Sequence, residues 1–302
     1  MSDAPADVLV SVTIMRPEER LLLSAFRAAG LTARSVTPRH TTAFLNDPAL
    51  APRLVILRNV SHRELAGMSD RFEHAGIPTL NSPAAVRLCL SKDLQALAFA
   101  RAGLPHPTTR IAFSAEQVGE QIEALGGHAV VKPVSGSWGR GIVHITTPAE
   151  LAAWSGGWEG LDPGGRSFPV VVQQYIPKPG FNERVIIVGH TPVVAYKQVS
   201  PDLRTNTHLG GTVEPIPLSP RSAELARRVV DLFGPGFYGV DLAESAETGE
   251  LYVLEVNTNP EFAKSVSVHG VDIPAHLARF ARSVIDAQDR AGRFAERKER
   301  AA

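Results

Sequence analysis

The sequence predicts an α/β (α+β) fold built from three consecutive parts. Over about the first 85 residues, apolar strands alternate with helical segments, which is typical of a small parallel α/β sheet. After residue 110, strands predominate and glycine-rich loops separate them. Near the end, two strands flank a short polar turn and a long helix follows, which indicates an antiparallel unit. We therefore predict domains at residues 1–88, 89–178 and 179–302.

Composition narrows the class of protein. The chain has 302 residues, is 44% hydrophobic and carries no net charge, which argues against a broad nucleic-acid-binding surface. Its single cysteine, Cys89, rules out an intrachain disulfide. No apolar run reaches the roughly 18 residues that span a bilayer, and the first residues are acidic rather than basic. We expect a cytoplasmic protein that binds neither nucleic acid nor membranes.

The first part contains three predicted strands with a helix after each. The strands are "DVLVSVTI", "RLVILRNV" and "IPTLNS", and the helices are "RPEERLLLSAFRAAG", "HRELAGMSDRFEHAG" and "SPAAVRLCLSKDLQALAFARAG". No G-x-G-x-x-G follows the first strand, so a dinucleotide-binding domain is not indicated.

The rest of the chain is richer in strands. We predict strands at "TTRIAF", "HAVVKPV", "GIVHI", "FPVVVQQYI", "ERVIIVG" and "VVAYKQV", with a helix at "SAEQVGEQIEAL". The stretch "WSGGWEGLDPGGRS" is interpreted as a glycine-rich surface loop. A helix at "SAELARRVVDLF" precedes the strands "FYGVDLAES" and "GELYVLEVN", and the last helix is expected to fray in its charged tail.

The last two strands carry a candidate metal site. Glu255 and Asn257 are two residues apart and so project from the same face of their strand, and hairpin pairing can bring Asp241 beside them. Two carboxylates and an amide oxygen are hard ligands of the kind that Mg²⁺ accepts. The alternative is a solvent-facing strand with ordinary polar residues, which the apolar neighbours on both strands disfavour.

A second candidate is the stretch "VVKPVSGSWGRG", residues 130–141. Lys132 ends an apolar strand, and the glycines after it allow backbone N–H groups to approach an anion. The spacing is not that of a Walker loop. A phosphate-binding loop and a plain hairpin turn both fit this stretch on its own.

Further polar residues favour a nucleoside triphosphate. Arg184 begins an apolar strand, and Lys197, Arg204 and Asn206 lie in a polar stretch that ends in two glycines. Several cations, a glycine loop and a Mg²⁺ site are what phosphoryl transfer requires. The histidines lack zinc-type spacing, and no nucleophilic-hydrolase signature is present.

Taken in order, "SKD", "VVKPVSGSWGRG", "QQYI", "NERVIIVG", "RTN", "GVDL" and "LEVNTNPEF" resemble an ATP-grasp carboxylate–amine ligase. The resemblance covers nearly the whole chain and is strongest to the LysX-like ligases that act on an amino-group carrier protein. These are related to the RimK-like glutamate ligases. It implies an ATP-grasp fold with a small N-terminal domain, a central glycine-loop domain and a C-terminal domain. ATP is expected between the last two.

The resemblance also implies roles for individual positions. The Mg²⁺ ligands are expected to be Asp241, Glu255 and Asn257. The nucleotide-binding positions are Lys92, Lys132, Ser135, Gly136, Ser137, Trp138, Gly139, Gly141, Gln174, Tyr175, Ile176 and Asn206. The catalytic positions are Lys132, Arg184 and Arg204, and the substrate positions are Arg184, Arg204, Asn259 and Glu261.

Two positions depart from the family pattern. Asn182 replaces the usual acid of a D-x-R motif, and Gln174 stands where a glutamate is common. The first departure puts the ribose contact in doubt, and the second puts the adenine contact in doubt.

By resemblance, ATP and one or two Mg²⁺ ions activate the C-terminal glutamate of a small acidic carrier protein. The α-amino group of α-aminoadipate or glutamate then forms an amide bond with its γ-carboxyl group, as in lysine or arginine biosynthesis. One alternative is a RimK-like ligase that adds glutamate to a protein tail or a cofactor. Another is a nucleotide-binding regulatory protein without catalysis. The resemblance further implies a homo-oligomer, either a dimer or a tetramer.

Overall fold

The computed structural model describes residues 5–136, 139–161, 168–199, 212–263 and 270–301 and confirms the predicted α/β class. Its first sheet contains β1 (Val8–Val12), β2 (Ala33–Val36), β3 (Leu54–Arg58) and β4 (Thr79–Leu80). All four strands pair in parallel in the order β2-β1-β3-β4, as the alternating pattern predicts. The helices of this part are α1 (Pro17–Ala28), α2 (Thr42–Asn46), α3 (His62–His74) and α4 (Pro83–Cys89). Sequence reasoning missed β2 and α2.

The second sheet is antiparallel. Its strands are β5 (Thr109–Ala112), β6 (Ala129–Pro133), β7 (Val143–Ile145) and β8 (Val170–Gln174). They lie in the order β5-β8-β6-β7. The accompanying helices are α5 (Lys92–Arg101), α6 (Ala115–Ala124) and α7 (Pro148–Leu161).

The third sheet is antiparallel and has five strands. They are β9 (Phe181–Gly189), β10 (Thr191–Val199), β11 (Thr212–Ile216), β12 (Gly236–Glu244) and β13 (Leu251–Asn257). Their order is β11-β10-β9-β12-β13. The helices α8 (Pro220–Phe233) and α9 (Ile273–Ala301) complete this part. Sequence reasoning missed β11. In the described part of the chain, no helix is both long enough and apolar enough to cross a membrane.

The structure corrects the prediction of one continuous helix after β4. That segment is divided into α4 and α5, because Ser91 adopts an extended conformation and begins the second helix. The break brings the first turn of α5 against the strand that precedes the glycine loop, where the Lys92 N–H donates to the Val134 carbonyl at 3.0 Å. Lys92 thereby lies at the mouth of that loop.

Two further predictions were wrong. The stretch from Trp154 to Leu161 was expected to be a loop, but it belongs to α7. Trp154 and Trp158 are one helical turn apart and stack at 5.4 Å between ring centroids, and Trp154 is buried in the core of the second sheet. Burial of these rings outweighs the low helix propensity of the glycines between them. The charged tail, expected to fray, continues as helix to Ala301.

Buried polar side chains connect the three parts. Gln95 on α5 accepts from the Val256 N–H at 2.8 Å and donates to the Val256 carbonyl at 3.2 Å, which fixes the helix to β13. Asn81, just after β4, donates to the carbonyls of Phe237 and Thr258. The first and third sheets also share one apolar core. The relative position of the elements around the site is therefore set by specific bonds, while the domain boundaries at residues 88 and 178 stay a prediction.

We predict that Gln95→Leu lowers the free energy of unfolding by about 1–3 kcal/mol, because it leaves the buried backbone groups of Val256 without their partner. Urea unfolding followed by circular dichroism measures this change. Gln121→Ala is the matched control, because Gln121 has a partly exposed bond to Arg110 and should change stability by less than about 0.5 kcal/mol. Equal stability of the two variants would contradict the connecting role of Gln95.

Candidate active site

Opposed residues form a polar row across the third sheet. The register places Arg184 on β9 opposite Asp241 on β12, and Asp241 opposite Glu255 on β13. Directly opposed residues of antiparallel strands share a face of the sheet. All three side chains line one cavity, and so does Asn257, which lies two residues beyond Glu255. The row brings two carboxylates side by side.

Cations from two directions hold these carboxylates. Arg184 donates to both oxygens of Asp241, from Nε at 2.5 Å and from Nη2 at 2.6 Å. Lys92, from the first turn of α5, lies with its Nζ 3.2 Å from Oε1 of Glu255. Like charges this close repel each other. The two cations offset that repulsion.

The pKa values follow from burial and from these neighbours. Burial raises the pKa of Glu255, but Lys92 and Lys132 outweigh it and leave that pKa below the usual value. Burial lowers the pKa of Lys132 to about 8, with Glu255 opposing the shift and Lys92 adding to it. Burial likewise lowers the pKa of Lys178 to about 8, although Asp241 favours its charged form. Both lysines therefore lose their charge near pH 8.

The glycine stretch is held at its start from two sides. Lys92 Nζ donates to the Gly136 carbonyl at 2.8 Å, and Nδ1 of His62 shares a hydrogen bond of 3.1 Å with the Ser135 hydroxyl. Gly139 and Gly141 have φ angles of 70° and 71°, a conformation that favours glycine. Gly136 and Gly139 line the cavity. The start of the loop is thus held by Lys92, which also contacts Glu255 of the third sheet, and by His62 at the start of α3.

The segment after β8 forms a further wall. Tyr175 and Ile176 line the cavity, and the Tyr175 ring stacks on His144 at 4.0 Å between centroids. Gln174 also lines it, but its Oε1 accepts from the Thr108 N–H at 3.2 Å. The preceding residue, Gln173, is the one whose Oε1 accepts from Lys132 Nζ at 2.5 Å. The glutamine that orients the lysine is therefore one that sequence reasoning did not select.

The opposite wall joins the first sheet to the segment after β13. Asn259 donates from Nδ2 to the Asn59 carbonyl at 2.9 Å, and its Oδ1 accepts from Nη2 of Arg16 at 3.4 Å. Oε1 of Glu261 lies 3.9 Å from Nη1 of Arg16. The backbone carbonyl of Glu261 accepts from the Tyr196 hydroxyl at 3.2 Å. Asn259 and Glu261, two of the four predicted substrate residues, are thus fixed between β10 and the edge of the first sheet.

Most of the residues selected from the sequence line this one cavity. They are Lys92, Lys132, Gly136, Gly139, Gln174, Tyr175, Ile176, Arg184, Asp241, Glu255, Asn257, Asn259 and Glu261. Ser135 contacts a lining residue, while Gly141 packs against Pro133. Four selected residues lie outside the described part of the chain: Ser137, Trp138, Arg204 and Asn206.

Sequence reasoning missed several lining residues, notably Arg16, Asn59, His62, Gln173 and Lys178. Asn59 directly follows β3, and Arg16 and His62 also lie near the carboxyl ends of parallel strands, where α/β sheets bind ligands. That rule could have identified Arg16, Asn59 and His62, but not Gln173 or Lys178. Lys178 donates to Asn182 Oδ1 at 2.8 Å, so the residue that replaces the usual acid still accepts from a cation.

The residues present fit a Mg²⁺ ion. No group of three His, Cys, Asp or Glu side chains is arranged for a metal in the described ranges, so the amide of Asn257 is needed to complete the set. Asn257 already contacts Asp241, with Nδ2 3.3 Å from Oδ2. The two carboxylates carry a charge of −2, which Arg184 and Lys92 compensate. A divalent cation supplies the same compensation, and all three side chains offer the oxygen ligands that Mg²⁺ prefers.

Comparison with known families matches nearly the entire chain. Residues 91–281 match the RimK-like ATP-grasp domain, and residues 8–88 match the LysX preATP-grasp domain. These two ranges contain every residue selected above.

Individual relatives agree with these matches. The chain is 31% identical to the alpha-aminoadipate–LysW ligase LysX of Saccharolobus solfataricus, over 87% of this chain and 96% of that protein. It is 27% identical to the glutamate–LysW ligase ArgX of Sulfurisphaera tokodaii, over 91% and 98%. Among solved structures, the RimK domain ATP-grasp protein of Sphaerobacter thermophilus superposes with a TM-score of 0.76 at 26% identity. That superposition covers 91% of this chain and 99% of the other.

The pKa of Lys132 predicts a pH dependence of nucleotide affinity. Below pH 8 the ammonium group is charged and attracts phosphate, whereas above pH 8 it becomes neutral. At pH 9 Lys132 must take up a proton to bind phosphate in its charged form, so with a pKa of about 8 the affinity falls by up to about tenfold from pH 7 to pH 9. Titration calorimetry with a non-hydrolysable ATP analogue at pH 7 and pH 9 measures it. Lys132→Gln should bind weakly at both pH values with a smaller difference, and an unchanged pH dependence in that variant would contradict the assignment.

Proposed function

The chain belongs to the RimK-like ATP-grasp ligases, and we propose that it joins an amino acid to the C-terminal glutamate of a small acidic carrier protein. The bond is an amide between the α-amino group of α-aminoadipate or glutamate and the γ-carboxyl group of that glutamate. The observation that carries the proposal is the row Arg184, Asp241 and Glu255, with Lys92 beside it, in a cavity walled by all three sheets.

The proposed reaction has two balanced steps. An oxygen of the γ-carboxylate attacks the γ-phosphorus of ATP, ADP leaves and an acyl phosphate forms. The substrate's ammonium group first loses one proton to solvent. The neutral amine then attacks the acyl carbon, phosphate leaves, and a second proton is released as the amide forms. Asp241, Glu255 and Asn257 would hold Mg²⁺, which would supply positive charge to the phosphate oxygens.

Within this proposal the chain's own cations neutralise and position the phosphates. Lys92 reaches the site from α5 and contacts Glu255, and Lys132 reaches it from β6 and donates to Gln173. Arg204 and Asn206 are proposed near the transferred phosphoryl group and lie outside the described residues. Arg184, fixed by two bonds to Asp241, is proposed to face the acyl phosphate. Fixed charges of this kind stabilise a transition state without reorganising.

The loop and the hinge are proposed to enclose the nucleotide. Residues 135–141 would lie over the phosphates, and the contacts of Ser135 and Gly136 hold the start of the loop toward the cavity. The adenine is proposed to contact Gln174, Tyr175 and Ile176. Ile176 supplies a buried apolar side chain to this wall of the cavity. Exclusion of water by such a loop protects an acyl phosphate from hydrolysis.

The carrier protein and the amino acid follow from the branch of the family. The match of residues 8–88 to the LysX preATP-grasp domain, and the coverage of nearly all of LysX, support a carrier-protein substrate over a ribosomal tail or a cofactor. ArgX, at similar coverage, keeps glutamate open as the amine. The proposed domains remain 1–88, 89–178 and 179–302, and the proposed assembly is a dimer or tetramer.

Glu255→Gln should lower the rate of ADP formation by about 100-fold or more, since it removes a carboxylate that orients both Lys92 and the metal. Glu250→Gln is the matched control, because Glu250 precedes the same strand, is exposed, and has its side-chain hydrogen bond with Tyr252 rather than with a residue of the cavity. An enzyme-coupled assay of ADP release measures the rates of both variants. Equal rates for the two variants would contradict the role given to Glu255.

Intact mass spectrometry tests the proposed reaction itself. The protein is incubated with ATP, Mg²⁺, a small acidic carrier protein that ends in glutamate, and either α-aminoadipate or glutamate. The carrier should gain the mass of one amino acid minus water, with one ADP formed per addition. The amino acid that adds identifies the amine. An unmodified carrier together with ADP formation on another acceptor would contradict the carrier proposal.

A further inference from the structure

The carboxyl-terminal edge of the first sheet forms a wall of the cavity that the nucleotide chemistry leaves without a role. Asn59 directly follows β3, and Arg16 lies four residues after the end of β1. Both residues line the cavity on the side of Asn259 and Glu261. Ligands of parallel α/β sheets bind at this edge of the strands.

Asn59 presents a buried donor without a protein partner. Its side chain is 1% exposed, and its Oδ1 accepts from the Ser11 hydroxyl at 2.9 Å. Its Nδ2 makes no hydrogen bond with any described residue. An unpaired buried N–H costs free energy, so a ligand atom that accepts a hydrogen bond from Asn59 Nδ2 would remove that cost.

Arg16 provides a fixed positive charge close by. Its Nη2 lies 2.7 Å from Oε1 of Glu19, and the same oxygen accepts from Nε of the fully buried Arg58 at 3.0 Å. Two guanidinium groups therefore share one buried carboxylate. The Arg16 side chain lines the cavity and is 16% exposed. Its Nη1 lies 3.9 Å from Oε1 of Glu261, and its Nη2 donates to Oδ1 of Asn259 at 3.4 Å. Glu18 and Glu261 both act on it electrostatically.

These contacts distribute opposite charges across a short distance. A zwitterionic amino acid has a carboxylate that suits Arg16 and the Asn59 amide, and an ammonium group that suits Glu261. Arg16 Nη1 and Glu261 Oε1 are 3.9 Å apart, a loose ion pair, so a ligand that carries both charges can replace this contact with one to each residue. Glu18, also at this edge, accepts from the Ala263 N–H at 3.2 Å and is already engaged with the backbone.

We propose that Arg16 and Asn59 form the subsite that binds a carboxylate of the amino-acid substrate, with Glu261 facing its ammonium group. This inference rests on the proposed ligase function and deepens it. It assigns recognition of the substrate's carboxylate to the N-terminal domain and phosphate chemistry to the rest of the chain. Arg16 also begins α1 and bonds Glu19, so a purely structural role is the alternative that the test must separate.

Asn59→Asp provides the sharpest test. The aspartate keeps the shape of the side chain and an oxygen for the Ser11 hydroxyl, but it replaces the N–H donor with a negatively charged acceptor. Calorimetry is performed on protein saturated with Mg²⁺ and a non-hydrolysable ATP analogue, with α-aminoadipate and glutamate as the probes. The Kd of the bound amino acid should rise at least tenfold, while the Kd of the ATP analogue changes less than twofold.

Arg16→Lys is the second variant, and Arg53→Gln is the matched control. Arg16→Lys keeps the charge but loses the forked geometry, so it should also weaken amino-acid binding several-fold. Arg53 likewise pairs with carboxylates, Asp7 and Asp289, but it precedes β3 and does not line the cavity, so its variant should bind as the wild type does.

The outcomes separate this inference from the proposed function. Wild-type affinity for the amino acid in folded Asn59→Asp and Arg16→Lys proteins would overturn the subsite and leave the ligase standing. Equal weakening of the amino acid and the ATP analogue, with a lowered melting temperature, would indicate a structural role and also overturn it. A wild-type protein that binds neither amino acid while it forms ADP with another acceptor would contradict both proposals.

Discussion

The arrangement of the cavity depends on two carboxylates that lie next to each other and repel. Asp241 and Glu255 face one another across β12 and β13, and their repulsion has to be offset by cations held in place. Arg184 comes from the adjacent strand and Lys92 from a helix of another part of the chain. This requirement gives a reason for the break between α4 and α5, which directs Lys92 to Glu255. It also explains why Gln95 fixes α5 to β13 beside that carboxylate.

Features with a short sequence period could be predicted, whereas features that depend on distant backbone groups could not. The two-residue spacing of Glu255 and Asn257 was enough to place them on one face, and the "SAETG" turn was enough to pair their strand with β12. The roles of Gln95 and Asn81 in joining the sheets were not predicted, because the third-sheet atoms that they contact are main-chain atoms more than 150 residues away. A polar residue with such a partner has no local signature. The helical stretch that contains Trp154 was missed for a related reason, since packing overrides glycine propensity there.

The first sheet forms part of the cavity wall. Arg58, at the end of β3, is fully buried, donates to Glu19 and to the Pro260 carbonyl, and lies near the rings of Phe237 and Phe262. Breaking a buried ion pair of this kind by removing one partner costs about 3–5 kcal/mol, so the junction is rigid. The same junction positions Asn259 and Glu261 after β13. Phosphate chemistry and recognition of the second substrate can therefore be assigned to different walls of one cavity.

The most direct test of this account is the position of a metal in a crystal grown with Mn²⁺ and a non-hydrolysable ATP analogue. The account predicts an anomalous peak at coordination distance from oxygens of Asp241, Glu255 and Asn257. It also predicts a lengthened contact between Lys92 and Glu255 as the lysine moves to phosphate. A metal bound elsewhere, with the pairs Arg184–Asp241 and Lys92–Glu255 unchanged, would contradict the claim that these carboxylates are the metal and phosphate centre of the enzyme.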